Sequence, residues 1–188
     1  MRLALFGGTF DPVHAAHLTV AREAADRFAL DRVLFIPNAH PPHKGGTVTA
    51  GYQDRSRMLE LACEADPRFQ VSRLEAGARK SYSILTIEKV REKQGAGDEL
   101  FFLIGSDAFA ELRSWYRWQD VIAAVEFIVV TRPNHNYTTP PGARVSRLET
   151  LALPVSSSDI RASLARGETP QELPPAVAAY IRERGLYR

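Results

Sequence analysis

"RLALFGGTFDPVHAAHLTVAREAADRFAL", Arg2–Leu30, decides the fold. Leu3–Phe6 is an unbroken apolar run, the pattern of a strand buried on both faces of a sheet. From His14 to Phe28 small and apolar residues recur at helical spacing. Between the two lie Gly7, Gly8 and a Thr-Phe-Asp-Pro turn. Strand, glycine turn and helix in that order begin a βαβ unit. They also set glycines against a helix N-terminus, whose free N–H groups and dipole attract anions.

The same rhythm repeats along the chain. Leu3–Phe6, Val33–Ile36, Phe69–Ser72, Leu100–Ile104, Phe127–Thr131 and Thr150–Leu153 read as strands. His14–Phe28, Tyr52–Glu64, Ser83–Lys93, Ala108–Leu112, Trp118–Val125, Asp159–Arg166 and Pro175–Arg184 read as helices. Alternating strands and helices predict a doubly wound, Rossmann-like α/β fold, with a mostly parallel sheet and a helical C-terminal part. Such sheets bind ligands beyond the carboxyl ends of their strands, where strand order reverses. "PNAHPPHKGGTVTAG" and "RPNHNYTTPPGARV" interrupt the rhythm as long loops, and loops of that length are usually functional. No repeat, linker or composition shift divides residues 1–188, so one domain is expected.

Composition narrows the class. Of 188 residues, 45% are hydrophobic and 24% charged, enough apolar content for a real core. A net charge of +2 without a basic run is no nucleic-acid footprint. Cys63, the single cysteine, excludes a disulfide framework and reads as a buried small hydrophobe. No apolar stretch approaches membrane-spanning length and no signal-peptide pattern opens the chain, so a cytoplasmic protein without a membrane partner is expected.

The chemistry rests on spacing. "GGTFDP" is not G-x-G-x-x-G, and no G-x-x-x-x-G-K-[ST] occurs, so neither common nucleotide motif applies. His14 and His17 stand three apart on one face of the first helical turn, where both imidazoles can meet an anion held by the glycine loop. Imidazole N–H donors there can stabilise charge on a phosphoryl group under attack. Read without that loop, the pair is equally a polar helix fringe or part of a metal site. "VSSSDIR", Val155–Arg161, caps another helix with serines and projects Arg161 from its first turn. Lys44 sits in a proline-stiffened loop after a parallel strand, and Gly105 and Asp107 follow the strand "LFFLI". "SWYRW" gathers Trp115, Tyr116 and Trp118, as core packing or as a platform for a flat ring.

In this order "GGTFDPVHAAH", "IPNAHPPHK", "SYSILT", "FFLIGSDAF", "SWYRW", "TRP" and "VSSSDIR" resemble the nucleotidyltransferase superfamily, specifically the nicotinate-nucleotide adenylyltransferase family. The first and last look like its G-T-F-D-P-x-H-x-G-H and I-S-S-T-x-I-R signatures. The resemblance implies transfer of AMP from ATP to nicotinate mononucleotide, giving nicotinate adenine dinucleotide and pyrophosphate in NAD biosynthesis. It implies ATP binding by Gly8, Thr9, Phe10, His14, His17, Gly105, Asp107, Ser156, Ser158, Ile160 and Arg161. His17 becomes the principal transition-state stabiliser, with His14, Lys44 and Arg161 also on phosphate. For nicotinate mononucleotide it points to Asn38, Lys44, Tyr82, Ser83, Trp115, Tyr116 and Arg132, with Trp115 stacked on the pyridine ring. Backbone N–H groups near Tyr82 and Tyr116 would receive the carboxylate. It further implies Mg²⁺ carried in on ATP, with no resident metal site, in a monomer or homodimer.

Four positions depart from the family pattern. Ala16 stands where the family has Gly, adding a methyl near the expected path of ATP; Ser83 replaces Thr; Val155 and Ser158 replace Ile and Thr. The alternatives are adenylation of nicotinamide mononucleotide or phosphopantetheine, or, in another class, an inactive nucleotide-binding regulatory module.

Overall fold

Apolar side chains along the strands alternate between two separate cores. On β1 (Arg2–Gly8), Ala4 enters one core while Leu3 and Leu5 enter the other. On β4 (Glu99–Gly105), Phe101 and Leu103 oppose Leu100, Phe102 and Ile104. Both faces must therefore be covered, and βαβ crossovers supply the cover. The computed structural model describes residues 1–40, 48–78, 80–133, 135–151 and 155–188.

The other strands are β2 (Arg32–Pro37), β3 (Phe69–Val71), β5 (Glu126–Thr131) and β6 (Arg144–Glu149). All pair in parallel, in the order β3-β2-β1-β4-β5-β6. Helices α1 (Ala15–Arg27), α2 (Tyr52–Cys63), α6 (Ser157–Ala165) and α7 (Pro175–Arg184) pack on one face. Helices α3 (Ser83–Arg91), α4 (Ser106–Ala110) and α5 (Trp118–Ala124) pack on the other. This is the expected doubly wound architecture. Its order reverses between β1 and β4, where Phe6 pairs with Leu103. Continuing that register sets Gly8 opposite Gly105 at the carboxyl edge of the sheet, the place where such folds bind ligands.

Two expected elements are displaced. The last strand is Arg144–Glu149, not Thr150–Leu153; Thr150 and Leu151 are not in a strand, and 152–154 lie outside the described residues. Its charges, Arg144, Arg147 and Glu149, break the apolar run and mark an edge strand open to water on one side. Helix α4 starts at Ser106 rather than Ala108, and Leu112–Ser114 form a separate 3-10 turn. Cys63 is buried, and burial pushes its thiol up to about 12. Among the described residues, no helix is long and apolar enough to cross a membrane.

Candidate active site

The glycine loop is braced from beneath. A Cβ on Gly8 would lie 2.9 Å from the Phe10 ring, so glycine lets that ring fold under the chain. Phe10 adopts φ +50° and packs against Phe6 and Phe35, with ring centroids 5.6 and 5.8 Å away. Under the loop lies Arg55 of α2, only 1% exposed. Its Nη1 donates to the Thr9 carbonyl (2.7 Å), Nη2 to that of Asn38 (2.9 Å) and Nε to that of Ala50 (3.1 Å). The buried Asp11 carboxylate accepts from the backbone N–H groups of Thr49 (2.7 Å) and Ala50 (3.0 Å) and from the Tyr187 hydroxyl (2.6 Å). Carbonyls turned down onto a guanidinium leave the other side of the loop for a ligand.

Helix α1 begins at Ala15, with His14 as its N-cap and His17 in the first turn. The His14 N–H donates to His17 Nδ1 (3.3 Å), and the rings lie 3.9 Å apart between centroids. An Nδ1 that accepts leaves the ring proton of a neutral His17 on Nε2. His17 lines a cleft with Gly8, Thr9 and Phe10; His14 sits behind it, 4% exposed. Burial pulls the His14 imidazole down to about 4, despite the opposing pull of Glu172, so it is neutral at neutral pH.

Across that cleft stands the N-terminus of α6. Ser156 caps it, its Oγ accepting from the Asp159 N–H (3.2 Å) and donating to the Asp159 carboxylate (2.7 Å). Arg161 donates from Nη1 to the Asp11 carbonyl (2.7 Å) and from Nη2 to Ser158 Oγ (3.2 Å). These bonds hold the guanidinium against the loop and leave the rest of its donor fork for the cleft, which Ser156, Ser158 and Arg161 line. Two helix starts and an arginine thus surround one hollow, a setting for a polyanion.

A second cleft shares Gly8 and Thr9 with the first as lining. Asn38, Tyr82, Ser83, Trp115 and Tyr116 line it. Trp115 meets Phe102 edge-on (5.8 Å), and the Tyr82 and Tyr116 rings pack at a 34° tilt with centroids 4.7 Å apart. Asn38 reaches the loop through its N–H on the Gly8 carbonyl (2.9 Å). Ser83 opens α3, so a helix N-terminus borders an aromatic-walled pocket. The clefts enclose about 340 and 510 Å³, the size of small-molecule sites.

Some expected site residues stand apart. Ile160 is 2% exposed in the core, and its N–H donates to Ser156 O within the helix, so neither its side chain nor its backbone lines the cleft. Gly105 and Asp107 lie at the end of β4 and the start of α4, outside both clefts; the exposed Asp107 carboxylate is 4.0 Å from His135 Nε2. Arg132 follows β5 on the surface, also outside them. Lys44 lies outside the described residues. Ala16 is 8% exposed and its methyl lines neither cleft. Among the described residues no group of three or more His, Cys, Asp or Glu side chains could hold a metal ion, and the Asp11 carboxylate is already committed to three donors.

Sequence reasoning overlooked Arg55, Asp11 as a brace, and Tyr187. An arginine in a helix reads as solvated surface. The one available signal was position: Arg55 lies between Ser56 and Asp54 near the start of α2, and with Met58 and Leu59 it falls on the helix's buried stripe.

The reversal of strand order between β1 and β4 and the braced glycine loop put both clefts at the carboxyl edge of a doubly wound α/β sheet, where such folds bind ligands. The family model described as cytidylyltransferase-like matches residues 5–163. A protein of Solibacter usitatus named "Probable nicotinate-nucleotide adenylyltransferase" is 62% identical over 187 residues, covering 100% of both chains. One of the same name from Salinispora arenicola is 40% identical over 186 residues, covering 97% of this chain and 99% of its own. In fold the chain is similar to Plasmodium falciparum nicotinic acid mononucleotide adenylyltransferase complexed with NaAD. That TM-score is 0.78 at 17% identity, with 99% of this chain and 97% of the other covered. The chain belongs to the cytidylyltransferase-like family and, within it, to the nicotinate-nucleotide adenylyltransferases.

Proposed function

We propose that the cationic cleft binds ATP and the aromatic cleft binds nicotinate mononucleotide, so that the mononucleotide phosphate meets the α-phosphorus beside Gly8 and Thr9. The observation that carries this reading is that two chemically different clefts share those two residues. The acceptor phosphate oxygen attacks, pyrophosphate leaves, and nicotinate adenine dinucleotide forms. Catalysis of this kind is positioning and charge stabilisation more than covalent chemistry. His17 donates from Nε2 to the phosphoryl oxygens as charge builds. Arg161 and the α6 start hold the β- and γ-phosphates. His14 stays neutral and fixes the His17 ring by supplying its backbone N–H. With no cage among the described side chains, Mg²⁺ would be held by the triphosphate itself and would neutralise its charge.

In the second cleft, Trp115 offers a face to the pyridine ring, and the N–H groups at the start of α3 receive its carboxylate. A nicotinamide group would turn an NH₂ toward donors and leave polar groups unpaired, which penalises it. The test supplies ATP with nicotinate mononucleotide, nicotinamide mononucleotide or phosphopantetheine and measures pyrophosphate release. A clear preference for nicotinate mononucleotide is expected; preference for another acceptor would sink the assignment.

A further inference from the structure

Tyr187 lies after α7, far along the chain from the glycine loop, yet its phenol reaches beneath it. Helix α7 docks on α2 through the Tyr180 hydroxyl, which donates to Asp54 Oδ1 (2.8 Å), with Arg184 Nε 3.5 Å from the same carboxylate oxygen. Gly185, at φ +63°, ends the helix in the left-handed conformation that reverses the chain, and the Leu186 N–H returns to the Ile181 carbonyl (3.0 Å). That turn drives the Tyr187 ring into the core at 7% exposure and puts its hydroxyl 2.6 Å from Asp11 Oδ1. Burial and the neighbouring carboxylate both raise the phenol well above its ordinary value, so it stays protonated and donates.

Asp11 is the joint. Its carboxylate is bound by Tyr187, Thr49 and Ala50, and its own carbonyl accepts from Arg161 Nη1 (2.7 Å). The side chain and the carbonyl of one residue therefore link the Tyr187 hydroxyl to the phosphate-facing guanidinium. We propose that Tyr187 is a positioning residue for adenylyl transfer: through Asp11 it sets where Arg161 stands in the ATP cleft. This rests on the assignment of that cleft to ATP. It predicts an effect on ATP, not on the acceptor, because Asp11 and Arg161 line the first cleft and not the second.

The experiment uses the full chain with Tyr187→Phe, which keeps the buried ring and removes only the hydroxyl. Steady-state kinetics with both substrates, the affinity for a non-hydrolysable ATP analogue and the thermal midpoint are measured together. The expected result is a loss of about tenfold in kcat/KM for ATP, with KM for nicotinate mononucleotide within about twofold of wild type. A double-mutant cycle with Arg161→Lys separates positioning from general stability. If Tyr187 acts through Arg161, adding Tyr187→Phe to Arg161→Lys costs little more; independent effects multiply. Unchanged kinetics in Tyr187→Phe, equal losses for both substrates, or fully multiplicative losses in the cycle would each overturn the proposal. Failure of the underlying assignment shows separately, as a wild-type enzyme that does not bind the ATP analogue.

Discussion

Neutral His14, buried behind His17, places a titration inside the fold. Folded His14 sits at about 4 because of burial, against 6.5 for an ordinary histidine. As pH falls below 6.5 the unfolded chain takes up a proton that the folded one refuses. The stability this histidine contributes is thus full above 6.5 and lost as pH drops toward 4. Its slope approaches about 1.4 kcal/mol per pH unit inside that window, for a total of about 3 kcal/mol at most. His14→Gln carries no such proton. Urea unfolding of both proteins from pH 7.5 to 4.5 is expected to show wild type losing ground on the variant as pH falls. Parallel curves across the window would mean that His14 protonates as readily folded as unfolded.

Helix α2 does more than cover the sheet, because Arg55 on its buried face is the common donor to three loop carbonyls. Removing it deprives the Thr9, Asn38 and Ala50 oxygens of their shared donor and opens a cavity where the 1% exposed side chain stood. Arg55→Ala should therefore cost on the order of 3 kcal/mol or more, read as a lowered urea midpoint. Arg55→Lys should recover only part, since an ammonium cannot span three acceptors with the planar fork of a guanidinium. A wild-type midpoint for the alanine variant would show that water satisfies those carbonyls instead. Legibility divides along the same line. The central strands were legible because both faces of each are apolar, and the first loop because its glycines sit between a strand and a helix. Strand β6 was not, since Arg144, Arg147 and Glu149 give an edge strand the look of a loop. The bonds of Arg55 to Thr9 and of Tyr187 to Asp11 were not, since they span 46 and 176 residues and no local pattern encodes a bond of that range.

Across the whole molecule, the sheet's reversal between β1 and β4 sets two clefts on either side of one glycine loop, and the chemistry partitions with them. The cleft built from the α1 and α6 starts carries His17 and Arg161; the cleft bordered by α3 and the turn after α4 carries the aromatic side chains. Substitutions should accordingly fail in different kinetic constants. Trp115→Ala removes a ring face from the second cleft and should raise KM for nicotinate mononucleotide about tenfold or more, leaving KM for ATP within about twofold. His17→Ala removes the donor proposed to act as charge develops and should lower kcat about a hundred- to a thousandfold, with both KM values little changed. Pyrophosphate-release kinetics with each substrate varied in turn would resolve the two patterns. If Trp115→Ala raised both KM values together, the clefts would not be separate binding sites, and the loop at Gly8 and Thr9 would not be where two substrates meet.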